Sequence, residues 1–76
     1  MKDSLSQAFG KVVRRHRERD GVSQEALADR AEIHRTYVSS VELGKVRLGL
    51  DIAHKLAAAL GVPLHRLIAE AEAERR

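Results

Sequence analysis

The stretch from Ser23 to Gly44, SQEALADRAEIHRTYVSSVELG, limits the possible folds of this chain more than any other. It holds two short amphipathic patterns of helical period. The first opens at Ser23, a good helix N-cap, and places Leu27, Ala28 and Ala31 on one face. The second opens near His34 and places Val38 and Val41 on one face, leaving Arg35, Thr36, Ser39 and Ser40 on the other. Only Glu32-Ile33 stands between them, which leaves room for nothing but a tight turn. Two helices joined so closely must cross at a steep angle. The polar face of the second is then turned outward.

Helical signals continue on both sides. Ser4 can cap a first helix running to about Arg19, with Leu5, Phe9, Val12 or Val13, and His16 as its inner face. Met1 to Asp3 are expected to fray. Gly10 interrupts this pattern and costs roughly 1 kcal/mol of helix propensity relative to alanine; a close helix contact would justify it. Asp20-Gly21 is the stop, with Gly21 a natural left-handed cap. Val22 is placed to act as a hydrophobic staple for the next helix, about Gln24 to Ala31. The third helix covers about Arg35 to Leu43 and ends at Gly44; a basic loop, Lys45 to Gly49, follows. A fourth helix spans about Leu50 to Leu60, with Leu50, Ala53, Leu56, Ala57 and Leu60 inward, and Gly61 ends it. Pro63 marks the start of a fifth, about Leu64 to Ala73, with Leu64, Leu67, Ile68 and Ala71 along one side. No alternating strand pattern, internal repeat or low-complexity linker interrupts this order. The expected class is all-α, five short helices in one compact domain.

Seventy-six residues suit one small domain. Phe9 and Tyr37 are the only aromatics, so the core must be aliphatic and rich in alanine. A core of that size stabilises modestly, and association between chains would add to it. Lys and Arg number 14 against 11 Asp and Glu, a net charge of +3. The distribution matters more: Arg14, Arg15, Arg17 and Arg19 cluster early, and Lys45 and Arg47 follow the third helix. In a chain with a local basic face, the steeply crossed helix pair is the layout of a helix-turn-helix that sets a recognition helix in the DNA major groove. The plainer reading of these charges is a solvated surface. The absence of cysteine excludes disulfides, zinc-finger ligation and thiol catalysis. No stretch reaches membrane-spanning length and no signal-peptide pattern opens the chain, so a cytoplasmic, nucleoid-associated protein is expected.

The run Val22-Ser23-Gln24-Glu25-Ala26-Leu27-Ala28, then Ile33, Val38 and Glu42-Leu43-Gly44-Lys45, then Leu56-Ala57-Ala58-Ala59-Leu60-Gly61-Val62, resembles the Cro/C1-type helix-turn-helix family. The resemblance extends from about Val13 to Leu67. It implies a five-helix bundle of the lambda-repressor-like DNA-binding type. The run His34-Arg35-Thr36-Tyr37-Val38-Ser39 also resembles the small controller proteins of restriction–modification systems, which are dimeric transcription regulators. Two positions depart from the family pattern. Glu32 stands where the turn often has glycine, at a cost of order 1 kcal/mol if it is left-handed. His16 occupies a core position that is often leucine; it is either half-exposed or buried with one nitrogen bonded.

Phosphate contacts position such a protein and base contacts read sequence. Arg35 is the first candidate base reader, because a guanidinium pairs with both major-groove acceptors of guanine. Thr36 offers a methyl to thymine and a hydroxyl to base or phosphate. Ser39 and Ser40 lie about a turn further on, with solvated helix surface as the alternative for both. By resemblance, Gln24 contacts a phosphate and braces the recognition helix. Lys45 and Arg47 are placed to reach the DNA backbone. Tyr37 either wedges into the core or points its hydroxyl to a phosphate. His34 is a cap or backbone-contact candidate. The resemblance also implies that Arg17 and Glu42 form a structural ion pair between the first and third helices. Arg14 and Arg15 are expected to face solvent or phosphate, and Arg19 to be plain surface.

The four histidines, His16, His34, His54 and His65, show no paired metal spacing. There is no nucleophile elbow and no glycine-rich phosphate loop. No enzyme activity, metal, cofactor or small-molecule ligand is therefore expected. The partners expected are double-stranded DNA and a second copy of the chain, since single helix-turn-helix domains bind paired half-sites as two-fold dimers. Leu64, Leu67 and Ile68 on the fifth helix are the candidate dimer surface, with core covering as their other role. The function expected is a sequence-specific transcriptional regulator acting as a homodimer on a palindromic operator, with a restriction–modification controller as the subtype. The rivals are an antitoxin or protein-interaction adaptor and a sequence-neutral nucleoid binder.

Overall fold

Local signals set the helix ends. In the computed structural model, which describes residues 3–75, the elements are α1 (Leu5–Arg19), α2 (Gln24–Ala31), α3 (Arg35–Glu42), α4 (Leu50–Leu60) and α5 (Leu64–Glu74). Among the described residues there is no strand. Ser4 caps α1 through a full capping box: its Oγ accepts from the Gln7 amide at 3.1 Å, and Gln7 Oε1 accepts from the Ser4 amide at 2.8 Å. Ser23 Oγ accepts from the Ala26 amide at 3.0 Å and starts α2. Gly21, Gly44 and Gly61 all follow helices with positive φ, as the sequence predicts. Of the expected fraying at the start, Met1 and Lys2 lie outside the described residues. Asp3 is held: its carboxylate pairs with Lys11 at 2.6 Å and its carbonyl accepts from Arg75 Nε at 2.9 Å.

The core is aliphatic apart from Phe9. It gathers Ala8, Val12 and Val13 of α1, Leu27 and Ala31 of α2, Val38 and Val41 of α3, Leu56 and Leu60 of α4, and Leu67 and Ala71 of α5. Val22, Ile33 and Tyr37 are half-buried against it. Two leucines depart from the helical-wheel expectation. Leu5 is 38% exposed and Leu50 is 76% exposed. Each is the first residue of its helix, and side chains on a helix lean toward its N-terminus. They overhang the end of the packed stripe instead of entering it. Both line a small apolar cleft of about 110 Å³ with Phe9, Leu48, Ala53 and Ile68.

Gly10 lies where α1 meets α3. A Cβ built there would stand 2.0 Å from the Val41 carbonyl oxygen. The glycine is the close contact that its cost in helix propensity called for. It brings the backbone of the second helix-turn-helix helix directly onto α1.

His16 is 4% exposed and has both ring nitrogens occupied. Arg19 Nη2 donates to Nδ1 at 2.8 Å. A guanidinium has no acceptor, so Nε2 carries the ring proton and donates to Glu70 at 3.0 Å. Arg19, expected as plain surface, thus fixes the tautomer of a core histidine. Arg15 faces solvent, as expected, and pairs there with Glu74 at 2.5 Å. Together these contacts fasten α5 along α1.

Candidate nucleic-acid interface

The turn between α2 and α3 is made by Glu32, which has φ 57° and is the only non-glycine residue in the left-handed region among those described. The Ile33 amide donates back to the Ala28 carbonyl at 3.0 Å, closing the end of α2. Glu32 is solvent-exposed, and among the described residues its side chain makes no hydrogen bond or ion pair that would offset the strain. Glu32→Gly is expected to raise stability. The relief of about 1–2 kcal/mol is partly cancelled by the freer unfolded chain, leaving roughly 0.5 kcal/mol. Thermal unfolding should show a rise of about 2–4 °C.

His34 caps α3, with its Nδ1 accepting from the Thr36 amide at 3.1 Å. Histidine is a poor N-cap in general, but here it serves. Arg35 and Thr36 follow on the exposed first turn. Ser39 and Ser40 are half-buried, while Val38, Val41 and Glu42 are buried. Tyr37 packs against the core and remains half-exposed, which fits the first of the two roles open to it. Lys45 and Arg47 are both exposed in the loop after α3. That loop is anchored on either side of its charges. The Lys45 amide donates to the Ser40 carbonyl at 2.9 Å, and the Leu48 amide donates to Ser6 Oγ at 3.1 Å.

Beneath the helix pair lies a charged hub. Arg17 Nε and Nη2 donate to the two oxygens of Glu42 at 2.7 and 3.0 Å. Arg17 Nη1 donates to the Val22 carbonyl at 2.9 Å, and Gln24 Nε2 donates to Glu42 Oε1 at 3.0 Å. One carboxylate on α3 therefore gathers α1 and α2, and Arg17 ties in the α1–α2 loop. The Glu42 side chain is 2% exposed and that of Arg17 is 13% exposed. The hydrogen bonds to Glu42 hold the Arg17 guanidinium above the usual arginine range, against the opposing effect of burial. Gln24 braces the recognition helix through this bond.

An open groove of about 970 Å³ separates the start of α2 from the exposed face of α3, lined by Arg17, Ser23, Gln24, Glu25, Ala26, Asp29, Arg35, Thr36 and Ser39. The structure thus gathers Gln24, Arg35, Thr36 and Ser39 in one groove. His34, Tyr37, Ser40, Lys45 and Arg47 are not among its lining residues. The sequence reasoning passed over Glu25, whose Oε2 lies 3.2 Å from Arg35 Nη1. The two are ten residues apart on different helices, and no periodicity pairs them. Among the described residues, no three His, Asp or Glu side chains come together to hold a metal ion, and no helix is long and apolar enough to cross a membrane.

The candidate dimer residues separate. Leu67 is 0% exposed and belongs to the core, because α5 points it straight at α1 and α4. It is removed from the exposed surface. Leu64 and Ile68 stay half-buried at the rim.

Crossed helices, a three-residue connection, a capped and exposed recognition helix, and a brace from the first helix define a helix-turn-helix protein. A helix-turn-helix family model matches residues 13–67, and the chain belongs to that family, in its Cro/C1-type form. Within it, the chain is 40% identical to the control protein C.BamHI of Bacillus amyloliquefaciens over 63 residues, 82% of this chain and 78% of that protein. The crystal structure of the restriction–modification controller C.AhdI from Aeromonas hydrophila superposes with a TM-score of 0.78 at 37% identity, covering 82% of this chain and 94% of that one. The controller C.Esp1396I, solved as a tetramer with its natural 35 base-pair operator, superposes with a TM-score of 0.80 at 25% identity, covering 93% and 99% of the two chains.

Proposed function

We propose that this protein is a sequence-specific DNA-binding transcriptional regulator, acting as a homodimer on a two-fold operator, and that it is the controller of a restriction–modification system. The observation that carries the reading is the exposed first turn of α3, with Arg35 and Thr36 projecting from a helix locked to α1 and α2. The similarity to C.BamHI and C.AhdI favours the controller subtype over an antitoxin or adaptor. The protein acts by occupancy, blocking or recruiting polymerase according to where the operator lies. It works in the cytoplasm, on the nucleoid, as a single domain without catalytic chemistry or a cofactor.

In the bound state Arg35 reads guanine through its guanidinium, and Thr36 reads thymine or holds a phosphate. Ser39 and Ser40 approach as short polar contacts. Gln24, Lys45, Arg47, His34 and the Tyr37 hydroxyl hold backbone. Neutralised phosphates release counterions, so affinity falls steeply with salt. Selection of bound duplexes from a random pool should yield a palindromic site. Arg35→Ala should flatten the preference at one base pair per half-site, a loss of about 1–3 kcal/mol of discrimination. An unchanged selected site would remove Arg35 as the reader.

The dimer surface runs along the rim of α5 through Leu64 and Ile68 and continues over exposed Leu5 and Leu50, which share a cleft with Ile68. Ile68→Glu should shift sedimentation toward monomer at tens of micromolar while the fold persists. Leu67→Glu should unfold the chain, since it puts a charge in the core. A folded Ile68→Glu protein that stays dimeric would place the interface elsewhere.

A further inference from the structure

We propose that Glu25 is a positioning residue that determines specificity: it holds the Arg35 guanidinium for base reading and keeps it off the DNA backbone. The inference rests on Arg35 being the base reader, and extends that reading to the residue that orients it. The Glu25 and Arg35 side chains are 68% and 67% exposed, with 3.2 Å between Oε2 and Nη1. An ion pair so exposed contributes little to folding stability, and stability does not account for its place. That place is the groove between α2 and α3, among the residues offered to DNA.

Two physical consequences follow. A free arginine on this face would sample many rotamers and bind any phosphate within reach. The Glu25 carboxylate restricts the rotamers before binding and partly neutralises the guanidinium toward phosphates. A guanidinium has five N–H donors, and the pair occupies Nη1 alone. Enough donors stay free for the two guanine acceptors in the major groove. The carboxylate also repels phosphates directly, so it lowers affinity for DNA of arbitrary sequence. Glu25 lies in the first turn of α2, which begins at the Ser23 cap. There the positive end of the helix dipole favours its negative charge.

The test compares affinity for the selected duplex and for a random-sequence duplex at matched salt, in the full chain. The proteins are the wild type, Glu25→Gln, Arg35→Ala and the double variant. Glu25→Gln is conservative and exposed, and circular dichroism checks that it folds. Glu25→Gln should bind random duplex several-fold more tightly, and its ratio of selected to random affinity should fall about tenfold. Repeating the selection with it should relax the preference at the same base pair that Arg35→Ala relaxes. In the Arg35→Ala background, Glu25→Gln should leave the ratio unchanged. If Glu25→Gln keeps the wild-type ratio while Arg35→Ala collapses it, the role of Glu25 is overturned and the reading by Arg35 stands. If Glu25→Gln lowers the ratio equally in both backgrounds, it does not act through Arg35 and the proposal fails. If Arg35→Ala leaves the ratio intact, both assignments fall.

Discussion

Gly10→Ala is expected to destabilise this protein strongly, although alanine in a helix interior ordinarily stabilises by roughly 1 kcal/mol over glycine. The added Cβ would lie 2.0 Å from the Val41 carbonyl oxygen, 3.0 Å from its carbon and 3.3 Å from Glu42 Cα. All three are backbone atoms of α3, which no rotamer change can move aside. The recognition helix must retreat from α1 by about 1 Å to restore van der Waals separation. It would then loosen Val38 and Val41 in the core and strain the Arg17–Glu42 bonds. Overpacking of this kind costs about 1–3 kcal/mol, which in a domain of this size lowers the melting temperature by roughly 5–20 °C. Because the displaced element carries Arg35 and Thr36, operator affinity should fall even at temperatures where the variant is folded. Scanning calorimetry and a binding titration at low temperature check the two effects separately. A melting temperature equal to or above wild type would mean that α1 and α3 do not pack backbone to backbone.

Glu42→Ala is expected to be nearly as damaging. Removing the carboxylate leaves the Arg17 guanidinium in a largely buried position, with only the Val22 carbonyl as acceptor, and leaves Gln24 Nε2 without its partner. Stranding one charge of a buried pair costs about 3–5 kcal/mol, and the residual exposure of Arg17 places this site toward the lower end. That is a large part of the total stability of a small domain, about 4–11 kcal/mol for this length. The sign of the pH dependence follows from Arg17. Its folded-state pKa is raised by Glu42, so its contribution is fully present below the ordinary arginine range and is lost only in strong alkali. Replacing Arg17 as well should recover part of the loss, because no charge is then stranded. If Glu42→Ala melts like wild type, the hub does not hold the helices together.

The elements were legible because their signals are local. Ser4 with Gln7, Ser23, Gly21, Gly44 and Gly61 act within a few residues of themselves, and they set the helix ends where the sequence reading puts them. The Arg17–Glu42 bond was also expected, through resemblance to the family. The periodicity of α4 and α5 was correct in phase but not in depth. Leu50 and Leu67 sit on the inward stripes of their helices, yet Leu50 is among the most exposed apolar side chains and Leu67 is fully buried. A helical wheel assigns direction. Only the length of the neighbouring helices decides whether something lies in that direction.

Ser23 to Gly44 was settled by its own sequence as a capped helix, a tight turn and a second helix with a polar face, because backbone propensity and apolar spacing are properties of a short segment. The cost at Glu32 was expected only through the resemblance, which often has glycine at that position, and only if the residue was left-handed; the structure sets it there, at φ 57°. Which side chains meet was decided by the crossing angle of the helices, which no segment encodes alone. That angle rests on Gly10 allowing α3 onto α1 and on Glu42 collecting Arg17 and Gln24. It closes Glu70 of α5 on Nε2 of His16, and it sets Glu25 against Arg35 across the groove.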